Sequence, residues 1–356
     1  MHEGSEGLEA RVRAQQQGCA IGGSALYTGL LDVVADDVRA GGSCRAALAD
    51  HAAEPVAHAL ILRFLAAVHE VALDGSAPDL AAYYPSCGGR PGPGVGAAFM
   101  ATVAAHLDRV RARTAAPLQT NEVGRSAALL GGYLAVARAG LPLRVLEVGA
   151  SAGLNLRFDH FRYESGDGCL GTFGPAGSSV RFVAPWAGRT PALDVPVEVV
   201  ERRGCDLHPL DPADPAARLR LRACLWPDQE ERRHRLDAAL AVAAAVPAPV
   251  DRADAAAWVA DRLAGPAPGV ATVVVHSIVA QYLSPEGRRG LEEVLAAAGA
   301  RATPEAPVAW LRMEPADDQE AEVRLTRWPG PDGDPPPTQV LARSAFHGPP
   351  VRWLAG

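Results

Sequence analysis

Residues 145–155 read VLEVGASAGLN. An apolar run closes on Glu147, a turn of small residues follows, and an amphipathic segment begins at Leu154. That order predicts a strand, a tight turn and the start of a helix. A turn in this position serves one of three chemistries. It cradles a phosphate, presents Ser151 as a nucleophile, or holds an uncharged part of a nucleotide cofactor. Choosing among them decides both fold and function.

Outward from this stretch the chain alternates. A helix over Thr120 to Arg138 leads into the strand LRVLEV (143–148), and a further strand is expected at VPVEVVE (195–201). The Arg- and Ala-rich segment from Pro215 to Ala245 reads as helix, followed by PVDRADAAAWVADRLA (249–264). Then come the strand ATVVVHSI (271–278), the helix SPEGRRGLEEVLAAAG (284–299) and the strand PVAWLRMEP (307–315). Strands alternating with helices imply an α/β fold with a mostly parallel sheet. EVRLTRW (322–328) and TQVLARSAF (338–346) flank the Pro/Gly-rich loop PGPDGDPPP without a helix between them, and are expected to form an antiparallel hairpin at the C-terminal edge. Upstream the pattern differs. GLLDVVADDVRAG (29–41), HALILRFLAAVHEVAL (58–73) and GVGAAFMATVAAHLDRVRAR (94–113) repeat apolar residues at three- and four-residue steps, so that region is expected to be helical, with PSCGGRPGPGVG (85–96) as a loop. The expected division is a helical cap or lid over 1–117 and an α/β domain over 118–356.

Composition excludes several classes. The 356 residues are 48% hydrophobic and 21% charged, an ordinary globular balance. A formal charge of −7 argues against a general nucleic-acid binder. No run of about 18 apolar residues is available to span a membrane, and MHEGSEGLEARVRAQQQ lacks the features of a signal peptide. A cytoplasmic location is expected. Cys19, Cys44, Cys87, Cys169, Cys205 and Cys224 are scattered without a CxxC pair, so neither a disulfide frame nor a metal site is expected. All 34 basic residues are arginine. Without lysine there is no phosphate-binding P-loop and no Schiff-base chemistry.

The residues of the turn discriminate further. Gly149-Ala150-Ser151-Ala152-Gly153 lacks the glycine spacing of a dinucleotide-binding loop. Gly149-x-Ser151-x-Gly153 does match the nucleophile elbow of α/β-hydrolases, and His347 lies in the hydrolase chain order. A serine hydrolase using Ser151 therefore stands as an alternative. Against it, the elbow ordinarily follows several strands, here it follows helices, and a hydrolase gives Glu147 no task.

The cofactor reading uses every residue of the stretch. An acidic residue, x, Gly, x, a small residue, x, Gly resembles the cofactor loop of class I S-adenosylmethionine (SAM) methyltransferases, with Ser151 where the middle glycine usually stands. SAM carries a sulfonium cation and no phosphate, so a carboxylate at the loop is electrostatically favourable. The resemblance implies a Rossmann-like methyltransferase sheet and cofactor contacts from Glu147, Gly149, Ala150, Ser151, Gly153 and Asn155. It implies a ribose contact from Asp206 in Gly-x-Asp-x-x-Pro, with Glu201 as a substitute, and an adenine contact from Asp254 and Ala255. The fourth strand of that fold ends at the reaction site, which points to His276, Ser277, Gln281 and Tyr282. His276 is the candidate general base, with Glu314 and His347 as further catalytic candidates.

In QTNEVGR (119–125), Asn121, Glu122 and Arg125 would share a helix face. Arg125 would hold the cofactor carboxylate. Asn121 and Glu122 would face the substrate with Gln281 and Tyr282. Structural alternatives stand beside these roles. Asp206 would close a turn, Asp254 would cap a helix, Arg125 would pair with Glu122, and His276 would be a buried hydrogen-bonded residue. Trp226 of WPDQ is expected in a core rather than a substrate wall. The Asp/Asn-Pro usual after the fourth strand is missing, which argues against amino-group methylation.

The finer similarity is to an uncharacterised bacterial family, domain of unknown function 2332, through QTNEVGR (119–125), LEVGASAGLN (146–155), RGCDLHPLD (203–211), WPDQ (226–229), VVHSIVAQYL (274–283), AWLRMEP (309–315) and HGPPVRW (347–353). The expectation is a SAM-dependent transferase, a methyltransferase acting on a small-molecule substrate. Cyclisation or elimination chemistry and non-catalytic SAM binding are the alternatives. No nucleic-acid or membrane partner is expected, and a homodimer is left open.

Overall fold

The helical periodicity of the first third folds as α1 (Glu3–Ile21), α2 (Ala25–Ala40), α3 (Ser43–Leu48), α4 (Leu60–Leu73), α5 (Pro78–Ala81), α6 (Val95–Ala105) and α7 (Leu107–Thr114). Local chemistry sets their ends. The Ser24 hydroxyl caps α2 by accepting from the Tyr27 amide, and Gly41 closes it at φ +81°. The single helix expected over 94–113 is interrupted at His106, whose backbone leaves the helical region and separates α6 from α7. The computed structural model describes residues 3–166, 171–330 and 336–355. Cys169 and residues 331–335 of the Pro/Gly-rich loop lie outside them.

The chain continues through α8 (Arg125–Ala137), β1 (Leu143–Val148), β2 (Arg162–Glu164), β3 (Thr172–Phe173), β4 (Arg181–Val183), β5 (Val199–Asp206), α9 (Pro215–Ala223) and α10 (Glu230–Ala245). It ends with β6 (Val250–Arg252), α11 (Ala255–Arg262), β7 (Ala271–Ser277), α12 (Pro285–Gly299), β8 (Val308–Pro315), β9 (Ala321–Trp328), β10 (Gln339–Ala345) and β11 (Gly348–Trp353). No helix among the described residues is long and apolar enough to cross a membrane.

Two units result, Met1–Thr120 with Asp214–His234, and Asn121–Ala213 with Arg235–Gly356. The division differs from 1–117 and 118–356 chiefly in the segment 214–234. Trp226 is buried in the helical core with Tyr27, Phe64, Val68 and Phe99. Asp228 accepts from the Ser24 hydroxyl at 2.7 Å and the Leu26 amide at 3.0 Å, adding a second cap to α2. A hydrophobic pattern reports that Trp226 is buried but not in which core.

The second unit is α/β. Its sheet runs β11-β10-β9-β8-β7-β1-β5-β6. β6, β5, β1, β7 and β8 are mutually parallel, and β9, β10 and β11 follow as an antiparallel meander. All seven residues of β7 are buried. At about 1.5–3 kcal/mol per buried Val side chain, the three valines of β7 favour a central position. Chain progression reverses between β1 and β7, so their carboxyl ends lie at the topological switch point of the sheet. α11 and α12 cover one face with Leu146, Val148, Val274 and the partly buried Trp310. α8 lies on the face reached by Leu311, where a side chain at Gly132 would stand 2.3 Å from a Leu311 methyl.

Three expectations are corrected. The β9–β10 hairpin forms but is not the edge, because HGPPVRW supplies β11 outside it. Two prolines hide a strand in sequence, yet an outer strand tolerates their missing N–H groups. The segment from Leu154 is a 3₁₀ helix to His160, irregular at Arg157, rather than an α-helix. Residues 215–245 form two helices, not one. A small sheet β3-β2-β4 was not foreseen, its strands being only two or three residues long.

Candidate functional site

At the end of β1, Glu147 alternates with Leu146 and Val148 and so projects away from the α11–α12 face. Its side chain is 4% exposed, and Oε2 is buried with no hydrogen-bond partner. Burial pushes the carboxyl up to about 8 against the pull of Arg157 and Arg125, with Asp206 adding to the rise. A lone carboxylate in this surrounding is costly unless a donor or cation joins it.

The cation that pulls hardest on it is engaged elsewhere. Arg157, fully buried, donates from Nε to the Val246 carbonyl at 2.7 Å and from Nη1 to the Gly153 carbonyl at 2.6 Å. Burial, together with Arg202, lowers its guanidinium to about 10, while Glu147 opposes the shift. Arg157 therefore holds the loop by its backbone. Sequence reading missed it; the available signal was one arginine inside the apolar run LNLRF.

The loop is tied down on both sides. Ser151 sits at φ +54°, donates its amide to Asp206 Oδ2 at 2.9 Å and accepts from the Leu210 amide at 3.1 Å. Its hydroxyl is buried without a hydrogen-bond partner, so no base contacts the residue placed where a hydrolase nucleophile would stand. Asp206 Oδ1 also accepts from the His208 amide at 2.8 Å, which makes Asp206 a turn-closing residue whichever ligand it meets. Glu201 pairs with Arg144 at 2.9 Å near the start of β5, at the other end of the strand from Asp206, and is no substitute for it.

QTNEVGR does not present a helix face, since α8 begins only at Arg125. Asn121 Oδ1 accepts from the Leu154 amide at 2.9 Å, and Glu122 Oε1 accepts from the Gly124 amide at 3.0 Å. These side-chain bonds to backbone compete with helix formation. Asn155 completes the fastening, donating to the Glu122 carbonyl at 3.2 Å and accepting from Ser126 at 2.7 Å. Asn121, Glu122 and Asn155 thus hold the 145–155 loop. Arg125 donates from Nε to the Phe346 carbonyl and from Nη1 to the Ser277 carbonyl, linking the end of β7 to the β10–β11 turn.

At the end of β7 both nitrogens of His276 are used. Trp310 Nε1 donates to Nε2 at 3.0 Å, and an indole can only donate. Nδ1 therefore carries the proton and donates to Glu314 Oε1 at 2.6 Å. The candidate general base has no lone pair left for a substrate, which is the buried-histidine alternative. Glu314 also accepts from the Val279 amide at 3.0 Å and the Ala280 amide at 3.3 Å. Burial would raise its carboxyl, but the His276 hydrogen bond and these two amides hold it below the usual value.

The turn that Glu314 holds passes over the loop of β1. Gly149 has φ +67°, and a Cβ there would lie 2.4 Å from Val279 Cγ2. Ile278 has φ +55°, a strained conformation for a β-branched residue, next to the buried Ser277. Gln281 and Tyr282 are exposed on the following 3₁₀ turn. His347 has its Nδ1 3.9 Å from Glu122 Oε2. Asp254 caps α11 through the Ala257 amide, and Ala255 packs in the core beneath it. Among the described residues no group of three His, Cys, Asp or Glu side chains is placed to hold a metal.

Over residues 9–353 the chain matches the family described as "Uncharacterized protein conserved in bacteria (DUF2332)", and it belongs to that family. No curated protein matches it, and no solved structure does.

Proposed function

We propose that this member of the bacterial family is a SAM-dependent transferase, a class I methyltransferase-like enzyme acting on a small molecule, with its cofactor at the carboxyl ends of β1 and β7. The observation that carries the reading is the buried, unpartnered Oε2 of Glu147 beside the small-residue loop. A ligand bearing an ammonium or sulfonium group supplies the cation that Glu147 lacks, whereas a phosphate would be repelled. The parallel strands lie in the order third, second, first, fourth, fifth, the doubly wound arrangement whose ligands bind where the order reverses. Bound there, SAM would supply an electrophilic methyl group.

The protein's own part is binding and orientation. Glu147 would pair with the cationic end of the cofactor. Asp206, at the end of β5, would meet the ribose, and Asp254 would form the rim of the adenine site. Val279, which covers Gly149, would have to shift for the ligand to reach the loop. His276 and Glu314 would position that turn rather than move a proton, and catalysis would rest on alignment of the acceptor. The serine-hydrolase reading lacks a base at Ser151.

Calorimetric titration with SAM and S-adenosylhomocysteine, on the wild type and Glu147→Gln, tests the proposal. Micromolar binding, weakened at least tenfold by the substitution, is the expected result. Absence of binding by both ligands would overturn it.

A further inference from the structure

In the helical unit His69 is 1% exposed and meets Ser86 at 2.7 Å through Nε2. Its other nitrogen, Nδ1, faces the Ala223 carbonyl at 3.1 Å. A carbonyl can only accept, so Nδ1 carries the proton and the Nε2 lone pair points at the Ser86 hydroxyl. This is the arrangement of a nucleophile and its base, with the base oriented by a third group. Tyr84 packs edge-on against the imidazole at 5.4 Å between centroids, fixing the ring.

Ser86 lies on the 3₁₀ turn Pro85–Cys87 and lines a groove of about 700 Å³. Leu73, Pro78, Ala81 and Ala82 give the groove an apolar wall, and Arg90 is the cation on its lining. The amides of residues 86 to 90 are all spent on carbonyls of Pro227, Tyr84, Pro85 and Ala82, so Arg90 is the group left to face a developing oxyanion.

We propose that Ser86 is a nucleophile activated by His69, and that the groove takes a small acyl ester or thioester. The Ser86 oxygen bonds to the acyl carbon while its proton passes to His69 Nε2. The carbonyl pair moves to oxygen and returns as the alkoxide or thiolate leaves, carrying the proton from Nε2. Water then releases the acyl group by the same path. The neighbouring Cys87 thiol, raised by burial above its ordinary value, is not the competing nucleophile at neutral pH. This site is independent of the SAM reading.

The experiment is labelling of the intact protein with a fluorophosphonate and mapping of the modified residue by mass spectrometry. The expected result is a label on Ser86, absent in Ser86→Ala and slowed at least tenfold in His69→Gln. Burial lowers His69 to about 4, so the rate should stay level from pH 5 to 8 instead of falling below pH 6.5 as with an ordinary imidazole. A label on Ser151, or no label in the wild type, overturns the proposal. So does a rate unchanged in a folded His69→Gln. Mapping on the wild type gives the answer even where that variant does not fold.

Discussion

Glu147 and Glu314 are buried glutamates at or near the carboxyl ends of parallel strands in one sheet, yet their surroundings are opposite. Glu314 has an imidazole N–H and two amides directed at its oxygens, and its carboxyl is held below the ordinary range. Glu147 has a buried oxygen with no donor, and its carboxyl is pushed up to about 8. Desolvation acts on both; the difference is whether the chain itself supplies the partners. A satisfied buried carboxylate holds structure together. An unsatisfied one is a candidate for completion by a ligand.

The largest expected effect tests Glu147 through pH. Its folded carboxyl titrates near 8 and the unfolded one near 4.5, so between those values the folded state keeps a proton that the unfolded state has lost. Wild-type stability should therefore fall as pH rises through that window, at roughly 1.4 kcal/mol per unit, about 4–5 kcal/mol in all. Urea unfolding at pH 5 and pH 9 should show that loss relative to Glu147→Gln, which lacks the titrating group. Equal slopes in both proteins would erase the contrast.

Next is Glu314→Ala, which leaves the His276 N–H and two amides without an acceptor. A loss of about 3–5 kcal/mol is expected for breaking a buried charged network. Glu314 also has the opposite pH sign. Its contribution is present above the unfolded value of 4.5 and is lost as pH falls through the lower folded value. A chemical-denaturation midpoint unchanged in the variant would show that the network carries little stability.

A smaller effect concerns the ligand. If Glu147 must ionise to pair with a cation, SAM affinity should rise from pH 6 to 8 by up to about tenfold per unit, and the rise should vanish in Glu147→Gln. Titration calorimetry at three pH values reads this directly. A flat wild-type profile would separate Glu147 from cofactor binding.

The smallest change is expected at Ser151. Its positive φ and unpartnered hydroxyl make Ser151→Gly a relief of strain, stabilising by about 0.5–1 kcal/mol and leaving SAM binding intact. Thermal unfolding would detect destabilisation, which would instead give the hydroxyl a structural role.

Much of the α/β unit was legible because its signals are local. LRVLEV, ATVVVHSI and PVAWLRMEP are short apolar runs bounded by turns, and each became a strand. The helical segments expected from Pro215 and from Ser284 both form, and the structure shows Asp214 and Ser284 capping them. HGPPVRW was unreadable as a strand because its prolines are tolerated only at an edge, and edge position is a property of the whole sheet. Asn121 and Glu122 were legible as polar residues near the site. Their bonds to Leu154 and Gly124, which make them fasteners of the loop, were not.

By itself, then, the sequence determined the alternation of strands and helices, the small-residue turn after Glu147, and the absence of lysine chemistry. Those follow from residue types and spacings that act within one or two turns of chain. The tertiary structure alone decided that Trp226 belongs to the helical core, that Trp310 occupies the nitrogen His276 would have used as a base, and that Ala223 orients His69 toward Ser86. These partners lie tens to more than a hundred residues apart. A hydrogen bond depends on which donor folding brings within 3 Å, and no periodicity encodes that.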